Sequence, residues 1–439
     1  MSLATLASAT SDPGALLRAS TDRSGLQGAP PLAVVRATSV EDVQEAAAWA
    51  HAQRVPLVAR GAGSGLAGGA VADGALVVDL SGLNRILEVD PVDELAVVEP
   101  GVVTAHLDAA AREHGLFFAP DPASAGFSTV GGNIATNAGG LRCVKYGITR
   151  DAVLALDVVL ADGRRIHTGQ RTMKGVAGYD LTSLFVGSEG TLGLIVGATV
   201  RLRPVPEGLA MLAAAFPTPE AAAEACTALL THRLQPSMLE LLDDATLEII
   251  DRAQGTDLRG AGGALVIVQF DGPAASVERR IAFDLFKPLA TRVHEANAAS
   301  LVEARKLALP SIERFGTALI EDICVPRSRL AEAFTRLRAI REETGAAMYT
   351  FAHAGDGNLH PILAYERGLP EPPPVTLAAA DRIFALALEL GGTVTGEHGI
   401  GALKRDWLRR ELGEDTLAVH AEIKRALDPH GVLNPGKAI

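Results

Sequence analysis

The chain has 439 residues, 48% of them hydrophobic, 21% charged and 4% aromatic; it is longer than one hydrophobic core usually grows and too apolar for a disordered or coiled-coil chain. Its formal charge of -12 excludes a nucleic-acid surface, because neutralising phosphates takes clustered Lys and Arg. Three scattered cysteines, Cys143, Cys226 and Cys324, exclude an iron–sulfur cluster and a disulfide framework and fit a reducing compartment.

Met1 to Pro13 carries no basic stretch ahead of an apolar one, so it does not read as a secretory signal. No apolar run approaches the ~20 residues of a membrane-spanning helix, and the expected location is the cytoplasm, free or peripheral to the inner face of the membrane. Ser39 ahead of Glu41 and Asp42 predicts a capping box opening an Ala-rich helix to about Gln53. Val55 to Ala59 and Leu76 to Leu80 read as strands. Ala155 to Ile166 alternates and turns back at Asp162-Gly163, as a hairpin does. After the strand Ala198 to Leu202, the prolines of Arg203-Pro204-Val205-Pro206 mark a boundary.

Beyond it, Leu212 to Phe216 reads as a strand and Thr218-Pro219 opens a helix to about Leu230. Val266 to Phe270 is a strand followed by a helix ending near Phe286, Pro370 to Pro374 is a loop, and Thr376 to Leu390 is a helix. The class is mixed α and β. The expected organisation is 1–205, 206–395 and a returning segment 396–439.

Glycines cluster where chemistry is expected. Gly63-Ser64-Gly65-Leu66-Ala67-Gly68 matches GxGxxG after a strand, but Gly69 to Gly74 leads into a turn and another strand rather than a helix. The dinucleotide fingerprint requires that helix. What remains is a nest of backbone N–H groups for an anion, or an ordinary flexible turn. Gly131-Gly132-Asn133-Ile134-Ala135-Thr136-Asn137-Ala138-Gly139-Gly140 and Gly187-Ser188-Glu189-Gly190-Thr191-Leu192-Gly193 add two more such loops, together long enough for a dinucleotide.

Late in the chain, His353 and His360 stand seven apart around Gly355-Asp356-Gly357. That turn forbids a helix and predicts a strand-turn-strand bend, with Asp356 and Asn358 fixing the turn. Gly396-Glu397-His398-Gly399 adds a carboxylate and a third imidazole. Two His and one Glu leave open positions on a divalent metal acting as a Lewis acid; hydrogen-bonded imidazoles without a metal are the other reading.

The combination of Arg60 to Gly68, Pro120 to Gly140, Gly187 to Ile195 and the late His and Glu motifs resembles the FAD-linked oxidases of the vanillyl-alcohol oxidase and p-cresol methylhydroxylase superfamily. Within it, the chain most resembles the branch that holds D-lactate dehydrogenase, D-2-hydroxyglutarate dehydrogenase and the flavoprotein component of glycolate oxidase. The likeness runs from about Val34 to Gly436. It implies an α+β fold, with a two-subdomain FAD-binding domain of the p-cresol methylhydroxylase type and an α+β cap domain for substrate. It implies cofactor contacts from Arg60, Gly61, Ala62, Gly63, Ser64, Gly65, Leu66, Pro120, Asp121, Ser124, Thr129, Gly131, Gly132, Ala135, Asn137, Gly139, Gly140, Glu189, Gly193, Ile195 and Asn434.

Residues 60 to 70 hold no His or Cys, so FAD is expected to be non-covalent, with Cys143 a small packed residue. The resemblance also implies zinc or manganese on His353, His360 and Glu397, with His398 as base and a hydride passing from a 2-hydroxy acid to the flavin. Arg305 matches the cap-domain arginine for the substrate carboxylate; on residues alone it is equally a surface partner of Glu303 or Glu313. Ile320 stands where the hydroxyglutarate enzymes carry a lysine, which favours monocarboxylates such as D-lactate or glycolate. Electrons then pass to a quinone, cytochrome, flavoprotein or oxygen, and a homodimer is compatible. Two other readings are a non-redox flavoenzyme of the alkyl-glycerone-phosphate synthase type and a flavin-binding component relaying electrons within a larger complex.

Overall fold

A computed structural model describes residues 3, 6, 8–294, 305–369 and 371–439. The chain divides into two compact units. The first is made of three segments, Met1–Gly140, Gly147–Val205 and Glu397–Ile439; the second is Leu141–Tyr146 with Pro206–Gly396.

Among the described residues, the first unit is built on two main sheets, with a short antiparallel pairing of Leu116–Phe117 and Arg203–Pro204 besides. In the smaller, Leu76–Asp79 lies between Ala33–Arg36 and Leu57–Arg60, parallel to both, and Ala9–Thr10 adds an antiparallel edge. The strand Leu76–Asp79 is almost wholly buried, which is why it reads as an unbroken apolar run rather than an alternating one. The helix Val40–Gln53 opens with the Ser39–Asp42 capping box and buries Val43, Ala46, Ala47 and Ala50 with Val35, Leu57, Leu76 and Val78. Near the end of the chain, Leu57 donates its N–H to the Val432 carbonyl at 2.7 Å, and Asn434 donates to the Leu57 carbonyl at 2.8 Å. The last residues thus extend this sheet.

The larger sheet is antiparallel in the order 86–90, 95–98, 194–201, 153–159, 165–169. Its central strand Leu194–Arg201 packs with the helices Thr104–Arg112 and Val130–Thr136 through Leu107, Ile134, Leu156 and Val200. Val153–Val159 and Arg165–Gly169 form the hairpin that turns at Asp162-Gly163.

Among the described residues, the second unit holds one antiparallel sheet, in the order 292–294, 209–216, 264–271, 238–242, 347–353, 358–365, 317–320, with Ile323–Cys324 also pairing to 358–365. Thr218 caps the helix Pro219–Thr231, and the helices Asp244–Gln254 and Ala308–Phe315 bury Leu247, Ile250 and Ile312 against Ile267, Phe351 and Ile362. Pro374 is the first residue of the helix Pro374–Glu389 rather than the end of a loop, because proline is preorganised for that first position. Pro370 lies outside the described residues. Among the described residues, no helix is long and apolar enough to cross a membrane.

Candidate active site

In the first unit, the loop after Leu57–Arg60 has the properties of an anion cradle. Among the described residues, no N–H group of residues 62–69 donates to an acceptor of the protein. A row of unspent donors on residues with little or no side chain fits a pyrophosphate. Arg60 stiffens the loop from within: its Nη1 donates to the Thr21 and Ala70 carbonyls at 2.9 and 3.1 Å. Gly63 has φ +67° and a methyl group there would strike that guanidinium. Burial lowers the Arg60 pKa, against the attraction of Asp22 and Asp79; the group still supplies a positive charge at the loop. At Gly61 a methyl group would sit 2.4 Å from Thr129 Oγ1, so this glycine lets the first loop close on the second.

The second loop works differently. Thr129 caps the helix Val130–Thr136, but the first N–H groups of that helix are used internally. Val130 donates to Val102, Gly131 to the Pro100 carbonyl at 2.8 Å, and Gly132 to Thr129 Oγ1 at 3.3 Å. This helix end is therefore not a phosphate site, and Gly131 is glycine because Pro100 leaves no room for a Cβ. Asn137, in the left-handed region at φ +54°, ends the helix and accepts the Arg150 N–H at 2.9 Å. Pro120, Asp121 and Ser124 precede it; a methyl group on Gly140 would meet the Asp121 carbonyl at 2.5 Å. Ala135 accepts the Glu189 N–H at 2.8 Å.

Glu189 is buried, and both carboxylate oxygens accept backbone N–H groups, of Ile400 and Gly401 at 2.8 Å each. Burial raises its pKa, opposed by those two donors and by Lys404 and Lys437. Its side chain thus holds the returning segment. Asn434 Nδ2 donates to the Gly69 and Glu189 carbonyls at 3.0 and 2.7 Å, and Ala402 donates to Ala67 at 2.8 Å. Loop 62–69, loop 187–193 and the returning segment are therefore one hydrogen-bonded assembly. The same segment brings Glu397 to the second glycine loop, where Gly139 lies beside its carboxylate, and sets His398 Nε2 3.8 Å from Glu397 Oε1. Gly193 and Ile195 have packing roles: Ile195 is in the core of the larger sheet, and a Cβ on Gly193 would sit 2.4 Å from Val158.

In the second unit, Ala347–His353 and Asn358–Tyr365 form a hairpin with His353 opposite Asn358 and Phe351 opposite His360. Asp356 Oδ1 accepts the Asn358 N–H at 3.2 Å and fixes the turn. Both imidazoles are buried, with ring centroids 5.1 Å apart at 85°. His353 donates from Nδ1 to Glu240 Oε1 at 2.6 Å, which leaves Nε2 as the acceptor nitrogen. Two close imidazoles, one of them oriented by a carboxylate, could supply two of the ligands of a divalent ion.

Asp322 accepts from Thr395 Oγ1 and Gly396 N at 2.7 and 2.9 Å, and a methyl group on Gly396 would meet Asn358 Oδ1 at 2.4 Å. The residue preceding Glu397 is thereby held at the hairpin turn.

Arg305 finds a carboxylate partner in Glu240, which the sequence had not suggested. Its Nε donates to Glu240 Oε2 at 2.9 Å, and its guanidinium lies 4.0 Å from the Phe351 ring centroid; Glu303 lies outside the described residues. Burial pushes the Glu240 carboxyl up, yet His353 and Arg305 outweigh it and hold the pKa below the usual range. Sequence reading missed Glu240 and Asp322. The signal for Glu240 was there: a single carboxylate inside the apolar strand Met238–Leu242, where a charge is costly unless paired.

The two sheets with their glycine loops define a dinucleotide-binding α+β protein. Residues 205–438 match the family described as FAD linked oxidases, C-terminal domain, and residues 31–169 match the FAD binding domain. The chain belongs to the FAD-linked oxidase family. It is similar to the glycolate oxidase subunit GlcD of Bacillus subtilis, at 41% identity over 93% of this chain and 88% of that protein. It is also similar to the D-lactate dehydrogenase of Archaeoglobus fulgidus, at 36% identity over 92% and 91%. A solved structure of p-cresol methylhydroxylase with substrate bound superposes with a TM-score of 0.82 at 18% identity, covering 98% of this chain and 94% of that one; this is a likeness of fold. The protein is an FAD-dependent oxidoreductase with an FAD-binding domain of the p-cresol methylhydroxylase type.

Proposed function

We propose that the protein oxidises a D-2-hydroxy acid of the D-lactate or glycolate type to the 2-oxo acid, using non-covalent FAD and a divalent metal, zinc or manganese. The observation that carries this reading is the pair of buried imidazoles of His353 and His360, with the chain pinned at Gly396 immediately before Glu397. His353, His360 and Glu397 would hold the ion. When bound, the flavin supplies a two-electron acceptor and the metal supplies Lewis acidity toward the substrate hydroxyl. His398 takes the hydroxyl proton on its imidazole as the Cα hydrogen leaves with its electron pair. Arg305, held at Nε by Glu240, presents the rest of its fork to the substrate carboxylate.

Ile320 supports a monocarboxylate. It pairs with Ile362 in the sheet and packs against the apolar core, a poor neighbour for a second carboxylate. Non-covalent attachment is supported by the absence of His and Cys from residues 60 to 70. The unidentified electron acceptor is a quinone, cytochrome, flavoprotein or oxygen.

Anaerobic addition of D-lactate or glycolate, with Zn2+ or Mn2+ supplied, should bleach the flavin. A protein that stays yellow against a panel of 2-hydroxy acids overturns the reading. Steady-state turnover with an artificial dye separates an enzyme from a passive electron relay, which would show none.

A further inference from the structure

We infer that Glu240 is a positioning residue that couples the metal-ligating imidazole of His353 to the substrate arginine, Arg305. This rests on the proposed metal-assisted reaction and adds a residue to it. Glu240 stands opposite His353 in the ladder between Met238–Leu242 and Ala347–His353, with a side chain only 1% exposed. Its two oxygens are divided between two donors: Oε1 takes the His353 Nδ1–H at 2.6 Å and Oε2 takes the Arg305 Nε–H at 2.9 Å.

An ionised carboxylate can only accept hydrogen bonds. It therefore fixes the His353 proton on Nδ1 and keeps the lone pair on Nε2, the arrangement in which an outer carboxylate orients a metal-binding imidazole. The same group sets the Arg305 fork, whose central carbon lies over the Phe351 ring. Phe351 in turn lies 5.4 Å from the His360 ring. One carboxylate thus sets the angle of a metal ligand and of the carboxylate-binding cation together, and a displacement of either is felt by the other.

The test uses FAD-bound protein stripped of metal by chelator, titrated with Co2+ and followed by its visible absorption, with Zn2+ competition. In Glu240→Gln the amide oxygen can serve as acceptor while the NH2 group faces one of the two donors. Co2+ affinity should fall by roughly 10- to 100-fold, and KM for D-lactate or glycolate should rise by a larger factor than kcat falls. Glu240→Asp, which restores the charge, should recover part of both. Wild-type Co2+ affinity in folded Glu240→Gln overturns the inference.

Should that variant fail to fold, Arg305→Lys carries the test. Losing the Nε contact should weaken Co2+ binding roughly three- to tenfold although residue 305 is no metal ligand, and unchanged affinity overturns the coupling. Wild-type protein that binds no Co2+ sinks the metal-assisted reaction as well, whereas wild-type binding with unchanged variants sinks the coupling alone.

Discussion

Gly139 and the Glu397 carboxylate are in such close contact that a methyl group on Gly139 would lie 2.6 Å from Oε2. A glycine read from sequence as a cofactor contact is thus also what makes room for the proposed metal-binding carboxylate. Gly139→Ala should displace Glu397 and slow anaerobic flavin reduction by about 10- to 100-fold, with flavin content retained. Stopped-flow reduction beside an absorbance ratio checks this, and wild-type reduction would show that Glu397 has no catalytic part.

Gly61→Ala tests the first loop. Its new Cβ would collide with Thr129 Oγ1 and open the junction of the two loops. FAD should bind about tenfold or more weakly, measured by flavin fluorescence on release, while the circular dichroism spectrum stays native.

For the proposed base, His398→Ala should retain FAD and lose about 10²- to 10⁴-fold in the rate of bleaching by substrate. An unchanged rate would remove His398 from proton transfer.

Glu189 offers a contrast between holding and reacting. Glu189→Ala leaves the Ile400 and Gly401 N–H groups without their acceptor, at a cost of about 3 kcal/mol. Urea unfolding should register that loss. Reduction should slow as well, because the Glu397–His398 segment is no longer tied down.

Asp243 caps the helix Asp244–Gln254 through the Thr246 N–H at 2.8 Å, and burial raises its pKa from 3.8 to about 6. Between those values the folded state holds a proton that the unfolded state has released, so this group's contribution to stability declines as pH rises through that window and is lowest above it. Asp243→Asn keeps a capping oxygen without the charge. It should be more stable than wild type by about 1–3 kcal/mol at pH 7, with the gain shrinking as pH falls toward 4. Urea midpoints between pH 4.5 and 7.5 measure this, and a pH-independent difference would contradict it.

Much of the architecture is legible where local chemistry acts alone. Ser39–Asp42 and Thr218-Pro219 announce helix starts, and Asp162-Gly163 announces a hairpin, because caps and turns are decided within four residues. The strand at Val55 to Ala59 runs instead from Leu57 to Arg60, since its hydrogen bonds come from residues 76–79 and 432–434, which no local pattern specifies. The lone carboxylate of Glu240 in its apolar strand could be seen locally, but its partners could not, for the same reason: they are 65 and 113 residues away. Among the glycines, sequence could show where a side chain is absent but not what fills the space, whether a ligand near residues 62–69 or the Pro100 carbonyl against Gly131.

The discontinuity of the first unit has a consequence for biosynthesis. Residues 206–396 emerge from the ribosome as an almost continuous block and can begin to fold while translation proceeds. The nucleotide-binding half must wait, because the strand at Leu57 takes its last neighbour from Val432 and Asn434 and residues 67–69 take theirs from Ala402 and Asn434. A nascent chain stalled before residue 432 would therefore carry a finished middle and an unfinished beginning, with FAD capture deferred until residues 432–434 have been made.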